Sequence, residues 1–208
     1  MDSCAWMEAT KEAARAMPRY VQELCLLDTQ IGDGDHGVTI ARGYRSIESG
    51  VALEPDMTLE AFCKAFGNVI SANMGGAIGP VYGVMWKAMG RSLAGKTELN
   101  TPELADAMSA AMHKIGSMCH VERGEKTMFD ALVPAVEALA AHRSDPLAQA
   151  LAAAVAGAER GCEATREMVA QKGRARFLGE KTLGHIDAGA FSFMRWMQVW
   201  ESAIRERV

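Results

Sequence analysis

Apolar residues recur at intervals of three and four along most of this sequence, and this spacing limits the fold more than any other feature. In the region from Ser3 to Leu26, for example, Trp6, Ala9 and Ala13 share one face of a helix, although Pro18 should divide it. Ala, Met, Leu, Glu and Arg are abundant, whereas the β-branched and aromatic residues that favour strands are sparse. The sequence therefore predicts an all-α protein of about eight helices with almost no strand.

Further helices follow from the same spacing and from the residues that begin and end helices. They are predicted over about 39–49, from Thr58 to near Gly75, over about 81–93, over 102–118 with Thr101 as the N-cap and Pro102 at N1, from Thr127 through Leu139, from Pro146 to about Val169 and over about 188–205. With 208 residues and a hydrophobic content of 49%, the chain is expected to form one domain, residues 1–208.

Charge, cysteine content and hydropathy exclude several classes of partner. The formal net charge of -4 provides no basic surface for nucleic acid. The five cysteines form no C-x-x-C pair, and no basic and apolar leader opens the sequence. The most apolar run, residues 147–158, is too short and too rich in alanine to span a bilayer. We therefore expect a cytoplasmic protein with no nucleic-acid and no membrane partner.

Residues 27–43 gather three aspartates, Asp28, Asp33 and Asp35, within a glycine-interrupted stretch that predicts a turn. Carboxylates crowded in this way repel one another unless they are protonated, scattered into solvent or bridged by a cation. We favour a cation, and oxygen ligands on a flexible loop suit Mg²⁺, although Asp and Gly are also the ordinary residues of exposed turns. The helix predicted to begin near Thr39 puts the turn at a helix N-terminus, which favours phosphate.

Three familiar motifs match parts of the sequence, but their contexts do not fit. Residues 32–37 match the dinucleotide pattern G-x-G-x-x-G, yet the two acidic side chains inside it would repel a pyrophosphate unless a metal lay between them. An EF-hand that begins at Asp33 would have Val38 at its glycine position and Tyr44 at the position of its bidentate Glu. Residues 90–97 match the P-loop pattern, but a helix rather than a buried strand leads into them.

Two other segments are candidates for ligand contact and have simpler structural explanations as well. The small residues from Gly75 to Pro80 allow backbone N–H groups to converge on a ligand, or two helices to approach closely. Lys126 and Thr127 can reach a phosphate, although Thr127 with Asp130 also fits an acidic variant of the helix capping box. On the residues alone, we favour the cap.

A basic stretch from Gly173 to His185, bracketed by glycines, lacks clear periodicity and predicts a mobile loop. Its guanidinium groups, among them Arg174, suit phosphoryl oxygens, so it is either a segment that closes over phosphates or a solvated linker. Asp187 is then the N-cap of the last helix, a hydrogen-bonding partner for a ligand, or both. His36 and His185 lie beside this proposed chemistry, whereas the other three histidines are assigned no role.

Four segments of the chain, in this order, resemble the ADP-binding L subunit of dihydroxyacetone kinase. They are Leu27–Gly37, Gly75–Gly83, Gly124–Asp130 and Gly173–Ala190. The resemblance implies an antiparallel barrel or bundle of helices with a nucleotide site at one end. It also implies that the chain is a single nucleotide-binding kinase domain in which residues 172–187 form a mobile lid.

The resemblance also implies roles for individual residues. Asp28, Asp33 and Asp35 match the ligands of two Mg²⁺ ions, and together with Arg174 they match the catalytic residues. The positions that match the ADP or ATP site are His36, Gly37, Thr39, Ala77, Ile78, Thr127, Met128, Arg174 and Asp187.

Two positions depart from the family pattern. Ile78 stands where the family commonly has serine, so only its backbone N–H remains for a phosphate contact. Ala188 replaces a usual proline after Asp187, which loosens the local turn.

In systems of this family a separate subunit or domain holds the ketose, so a ketose-binding kinase subunit is the expected partner, and a homodimer is left open. The expected reaction is transfer of a phosphoryl group by way of Mg-ADP and Mg-ATP to dihydroxyacetone or a similar short ketose such as erythrulose. The donor is either a phosphocarrier protein of the phosphotransferase system, which recharges bound ADP, or free ATP. The alternatives from other classes are a non-catalytic ADP-loaded regulatory module and a Mg²⁺-dependent phosphohydrolase.

Overall fold

The structure is a computed structural model that describes residues 1–208, and it contains nine α-helices and no β-sheet. The helices are α1 (Ser3–Ala16), α2 (Val21–Ile31), α3 (His36–Gly50), α4 (Leu59–Asn73), α5 (Ile78–Ser92), α6 (Thr101–Cys119), α7 (Met128–Ala141), α8 (Leu147–Ala164) and α9 (Ala188–Arg205). Short 3₁₀ helices at Met17–Tyr20, Thr165–Glu167 and Ala175–Thr182 lie between them. None of the helices combines the length and the hydropathy that a bilayer crossing requires. The prediction of an all-α protein is confirmed.

Successive helices pack side by side, and the last helix closes the bundle against the first. Each helix from α3 to α8 packs on the next one in the chain, while α9 packs on both α8 and α1. Four buried tryptophans, Trp6, Trp86, Trp196 and Trp200, fill the interior. Trp86 and Trp196 meet edge to face with ring centroids 5.7 Å apart, an arrangement that aromatic rings favour. This filled core fixes the positions of the helix ends, where the connecting segments lie.

Pro18 divides the first helical region, as its sequence predicts. α1 ends at Ala16, a 3₁₀ turn containing Pro18 follows, and α2 then runs from Val21 to Ile31. Because this one region forms two helices, the bundle has nine helices rather than about eight. α2 extends past the predicted end at Leu26 because the next glycine occurs only after Ile31.

Two helices begin earlier than predicted. α3 starts at His36 rather than Thr39, and α5 starts at Ile78 rather than Val81. In α5, Pro80 falls within the first turn, where its missing N–H leaves no helical hydrogen bond unmade. Both helices therefore begin about one turn nearer to the predicted site.

The N-cap of α6 is Asn100 rather than the predicted Thr101. The Asn100 side chain accepts a hydrogen bond from the Glu103 N–H at 2.9 Å, and the Glu103 carboxylate accepts one from the Asn100 N–H at 3.1 Å. The Thr101 hydroxyl instead donates to the Asp145 carbonyl at 2.8 Å. The reciprocal pair is a capping box, which satisfies backbone donors that the helix itself cannot pair.

The chain after α8 also differs from the prediction. α8 ends at Ala164 instead of Val169, where the Thr165 hydroxyl bonds to the Cys162 carbonyl and competes with the helical pattern. The following stretch, predicted as an irregular loop, contains the 3₁₀ helix already described, which is broken at Gly179 with a φ of 56°. The mobility of this stretch stays a prediction.

α7 and α8 approach each other through glycine. A methyl group added at Gly161 would lie 2.1 Å from the Asp130 carbonyl oxygen, and one added at Gly157 would lie 2.3 Å from the Pro134 carbonyl oxygen. Backbone atoms cannot move aside as a flexible side chain can, so this contact leaves no room for a larger residue.

We expect Gly161→Ala to lower the free energy of unfolding by about 1–3 kcal/mol, because the methyl group must push α8 away from α7. Gly116→Ala is the matched control, since a methyl group there would meet no atom closer than the Phe129 Cζ at 3.4 Å. Loss of that helical glycine should stabilise by up to about 1 kcal/mol. Urea denaturation followed by circular dichroism measures both values, and equal effects of the two substitutions would contradict the packing described.

Candidate functional site

A cleft of about 940 Å³ opens at one end of the bundle, where α2 and α6 end and where α3, α5, α7 and α9 begin. Its walls therefore come from helix ends and connecting segments rather than from the core. The first N–H groups of a helix have no partner within the helix, and the helix dipole is positive at that end. Four such N-termini around one cleft favour an anionic ligand.

The three aspartates lie close together on one wall of this cleft. One carboxylate oxygen from each of Asp28, Asp33 and Asp35 lies within 4.8 Å of the others. Asp28 is half-buried, and the other two are exposed. Oxygens at this separation repel one another when all three groups are ionised, and they are the ligands that a hard divalent cation prefers. The donor set therefore fits Mg²⁺.

Asp28 lies in the last turn of α2, whereas the sequence predicted a turn for it. The helix continues to Gly32, whose N–H donates to the Asp28 carbonyl at 2.6 Å. The Asp28 carboxylate accepts a hydrogen bond from the His36 N–H at 3.2 Å. This contact ties the end of α2 to the start of α3 across the tight connection that carries Asp33 and Asp35.

Gly37 is required for the packing of α3 on α2. It is buried, it does not line the cleft, and a methyl group added to it would lie 2.1 Å from the Val21 carbonyl oxygen and 2.8 Å from the Cys25 Sγ. Its lack of a side chain thus lets the two helices approach so closely that the acids on their connection stay together. Its contact with a nucleotide stays a prediction.

His36 lines the cleft and is hydrogen-bonded to Ser192, a residue to which the sequence assigned no role. The His36 Nε2 lies 3.0 Å from the Ser192 hydroxyl, which itself donates to the Gly189 carbonyl at 2.9 Å. Since the hydroxyl has only one proton, its oxygen accepts from the Nε2–H of the ring. Burial lowers the pKa of His36 below its usual value, which favours the neutral ring.

The segment from Gly75 to Ala77 forms a tight turn before α5 and lines the cleft together with Thr39 and Ile78. Gly76 adopts a φ of 65°, which favours glycine. Ala77 is the N-cap of α5, and no side chain bonds to the first N–H groups of the helix. These N–H groups remain free for an anion.

Thr127 caps α7, as the sequence predicts. Its hydroxyl and the Asp130 carboxylate form a capping box. Lys126 also lines the cleft, but it is buried and its ammonium group donates to the carbonyls of Thr165 and His185. Lys126 thereby ties the start of α7 to the segment before α9 instead of extending toward a phosphate.

Arg174 reaches the acidic wall from the other side of the cleft. Its guanidinium contacts the Asp33 carboxylate, and the two side chains are 67% and 44% exposed. An exposed ion pair of this kind contributes at most about 1 kcal/mol to stability. The pair is therefore weak enough to open when a cation competes for Asp33 or a phosphate competes for Arg174.

Asp187 is the N-cap of α9, and it also lines the cleft. Its carboxylate accepts a hydrogen bond from the Ala190 N–H at 2.7 Å, and its own N–H donates to the Thr165 hydroxyl at 3.0 Å. Burial raises the pKa of Asp187 to about 7, and the bond from Ala190 offsets only part of that effect. The capping role is confirmed, and a contact with a ligand stays a prediction.

All of the predicted site residues except Gly37 line the cleft. His185, which the sequence placed beside the proposed chemistry, lies outside the cleft lining. Its Nδ1 lies 3.0 Å from the Gln30 Oε1. The sequence reasoning missed Arg42, although its position one turn after Thr39 on the same helix face could have indicated it. It also missed an apolar wall, which carries no signal of its own because every amphipathic helix supplies such residues. That wall includes Ile115, Cys119, Val121 and Phe129.

We expect the Asp187 carboxyl to make the fold less stable as the pH rises. Its pKa is about 7 in the folded protein and about 3.9 in an unfolded chain. The folded state therefore binds this proton more tightly, and between those two values the free energy of unfolding falls by at most about 1.4 kcal/mol per pH unit. Urea denaturation of the wild type and of Asp187→Asn across this range measures the effect, which the variant should lack. The same slope in both proteins would contradict the raised pKa.

The chain is similar to known proteins over most of its length. Residues 30–202 match the DAK2 domain family. The chain is 32% identical over 205 residues to the ADP-binding subunit DhaL of PEP-dependent dihydroxyacetone kinase 2 from Listeria innocua, with 96% of this chain and 94% of that protein covered. It is 34% identical over 182 residues to the ADP-binding subunit DhaL from Escherichia coli K12, with coverage of 86% and 87%.

A solved structure has the same fold. The crystal structure of the dihydroxyacetone kinase from C. freundii in complex with AMP-PNP and Mg²⁺ matches with a TM-score of 0.75 at 24% identity. The match covers 97% of this chain and 34% of that one, so the chain spans about a third of the length of that kinase. The extent of the domain match and the identity to two DhaL subunits show that the chain belongs to the DAK2 domain family, as a relative of the ADP-binding subunits of dihydroxyacetone kinase.

Proposed function

We propose that this chain is the nucleotide-binding subunit of a dihydroxyacetone-type kinase, which transfers a phosphoryl group by way of Mg-ADP and Mg-ATP to a short ketose on a partner subunit. The observation that carries the proposal is the meeting, in one cleft, of three close carboxylates and the N-terminus of α5, which no side chain caps. Carboxylates bind the cation and N–H groups bind the phosphates of a metal nucleotide. The names of the relatives, which are ADP-binding subunits, support the same assignment.

Asp28, Asp33 and Asp35 are the proposed ligands of two Mg²⁺ ions. Their oxygens lie within 4.8 Å of one another, and the hydrogen bond from the His36 N–H holds Asp28 in place. When bound, Mg²⁺ neutralises and orients phosphate oxygens. The aspartates in this proposal therefore fix where the charge on the transferred group is compensated.

The nucleotide in this proposal contacts the other residues that the family resemblance assigned to its site. Its phosphates lie against the free N–H groups at the start of α5, which the turn before that helix presents to the cleft. The isoleucine side chain at this position offers no hydrogen-bond donor, so the backbone carries the contact. The proposed nucleotide-binding residues are His36, Gly37, Thr39, Ala77, Ile78, Thr127, Met128, Arg174 and Asp187.

Phosphoryl transfer requires positioning and compensation of negative charge more than covalent help from the protein. Arg174 is suited to this task because its guanidinium already lies at the acidic wall and makes only a weak, exposed ion pair with Asp33. Asp33 would hold the cation together with the other two aspartates, and Arg174, released from its pair with Asp33, would donate to the phosphoryl oxygens.

The ketose, in this proposal, is dihydroxyacetone or a similar sugar held on the partner. The relatives named above belong to PEP-dependent kinases, which supports a phosphocarrier protein of the phosphotransferase system, rather than free ATP, as the donor. A cytoplasmic location belongs to the same proposal and is supported by five cysteines that are all free thiols.

Loss of one acid should weaken nucleotide binding. We expect Asp35→Asn to raise the Kd for Mg-ADP by more than about tenfold, because a ligand of the cation is replaced by a neutral amide. Asp106→Asn is the control, since it removes the same charge from an exposed position outside the cleft. Isothermal titration calorimetry measures both, and native mass spectrometry counts bound ADP and Mg²⁺. Equal Kd values for the two variants would contradict the metal site, and the absence of heat with the wild type would contradict the proposed function.

Mixing the chain with a ketose-binding subunit, dihydroxyacetone, Mg-ADP and a phosphorylated carrier protein should yield dihydroxyacetone phosphate, measured by a coupled assay. Arg174→Ala should lower kcat by about 10²–10³-fold. Lys181→Ala, in the same segment but outside the cleft wall, should leave kcat near that of the wild type.

Nucleotide binding without turnover would instead indicate a regulatory module, and release of inorganic phosphate by the chain alone would indicate a hydrolase. Turnover with ATP but not with the carrier would contradict the proposed donor.

A further inference from the structure

Arg42 lies on the wall of the cleft and is not one of the proposed nucleotide-binding residues. It is on α3, one turn after Thr39, and both residues line the cleft. Arg174 pairs with Asp33 and Lys126 donates to two carbonyls, so both of these cations already have protein partners. Arg42 forms no ion pair, and its one hydrogen bond is to a backbone carbonyl. Its charge is therefore available to a ligand.

The Arg42 guanidinium is held in place at one edge. Its Nε donates to the carbonyl of Asn73, the last residue of α4, at 2.7 Å. Carbonyls at the end of a helix lack helical partners and form the negative end of the helix dipole, so a cation is stable there. The group is planar, and the bond at Nε leaves its two terminal nitrogens as donors.

Gly75 provides the space into which these terminal nitrogens extend. A methyl group added at Gly75 would lie 2.8 Å from the Arg42 Nη2 and 3.8 Å from the Thr39 hydroxyl oxygen. The missing side chain thus lets the guanidinium lie against the turn that precedes α5. Arg42, Thr39 and the start of α5 consequently border the same part of the cleft.

We propose that Arg42 is a phosphate-binding residue of this cleft, whose terminal nitrogens donate to oxygens of the anion held at the start of α5. The inference rests on the proposed function and adds a residue to it. A guanidinium fixed at one edge can form two parallel bonds to a phosphate group without losing much conformational freedom. It also supplies positive charge about two helical turns along α3 from Asp35, beyond the three aspartates that match the cation.

The test compares Arg42→Ala with Arg45→Ala. Arg45 lies on the same helix and is exposed, but it does not line the cleft, so both variants lose the same charge from α3. The Kd for ADP and the Kd for adenosine, each with Mg²⁺, are measured by NMR titration, which reaches millimolar values. We expect Arg42→Ala to raise the Kd for ADP by at least about tenfold and to leave that for adenosine within about twofold. Arg45→Ala should change neither.

An Arg42→Ala variant that binds ADP as well as Arg45→Ala does would overturn the inference. Equal losses for ADP and adenosine would also overturn it, because they would indicate a disturbed turn rather than a lost phosphate contact. If the alanine variant does not fold, Arg42→Lys carries the same comparison, since lysine keeps the charge but not the two-pronged donor. Failure of the wild type to bind ADP would contradict the proposed function as well, whereas ADP binding that survives Arg42→Ala contradicts this inference alone.

Discussion

Repulsion among three aspartates is the constraint to which this end of the bundle is adapted. Their oxygens lie within 4.8 Å of one another, a separation that ionised carboxylates in water would not keep by themselves. The backbone keeps it for them, because the Asp28 carboxylate accepts from the His36 N–H and because Gly37 lets α3 pack directly on α2. Arg174 relieves part of the repulsion through its contact with Asp33. A site held in this way by packed helices can bind a cation with little rearrangement.

Two positively charged side chains of the cleft bind backbone carbonyls rather than its carboxylates. Lys126 is bound to the carbonyls of Thr165 and His185, and this contact fixes the segment that leads to Asp187. Arg42 is bound to a carbonyl at the end of α4. Only Arg174 pairs with an acid of the cleft, and that pair is exposed. Lys126 and Arg42 are therefore held by backbone carbonyls and form no ion pair with the three aspartates, which suits a ligand that is itself part cation and part anion.

Local features of this fold could be predicted from the sequence, and features that depend on distant residues could not. The helices follow from the spacing of apolar residues, and the capping box at the start of α7 involves only Thr127 and Asp130, three positions apart. The carbonyls that bind Lys126 lie 39 and 59 positions away, so no local pattern could show that its ammonium group is already occupied. For the same reason, no local pattern could show that Gly37 packs against backbone and sulfur atoms of α2, while its contact with a nucleotide stays a prediction.

The site itself was predictable as far as its residues are neighbours in the chain. The three aspartates can be found from their spacing in the sequence. Their meeting with Arg174 and the start of α5 in one cleft depends on the order of the helices around the core, and only the family resemblance predicted that order. That core is filled by tryptophans, whereas the cleft is lined by residues of the helix ends and their connections. Recognition must therefore reside in the helix ends and their connections. Substitutions there, such as the isoleucine at the start of α5, can alter ligand contacts while the packing that holds the aspartates together is preserved.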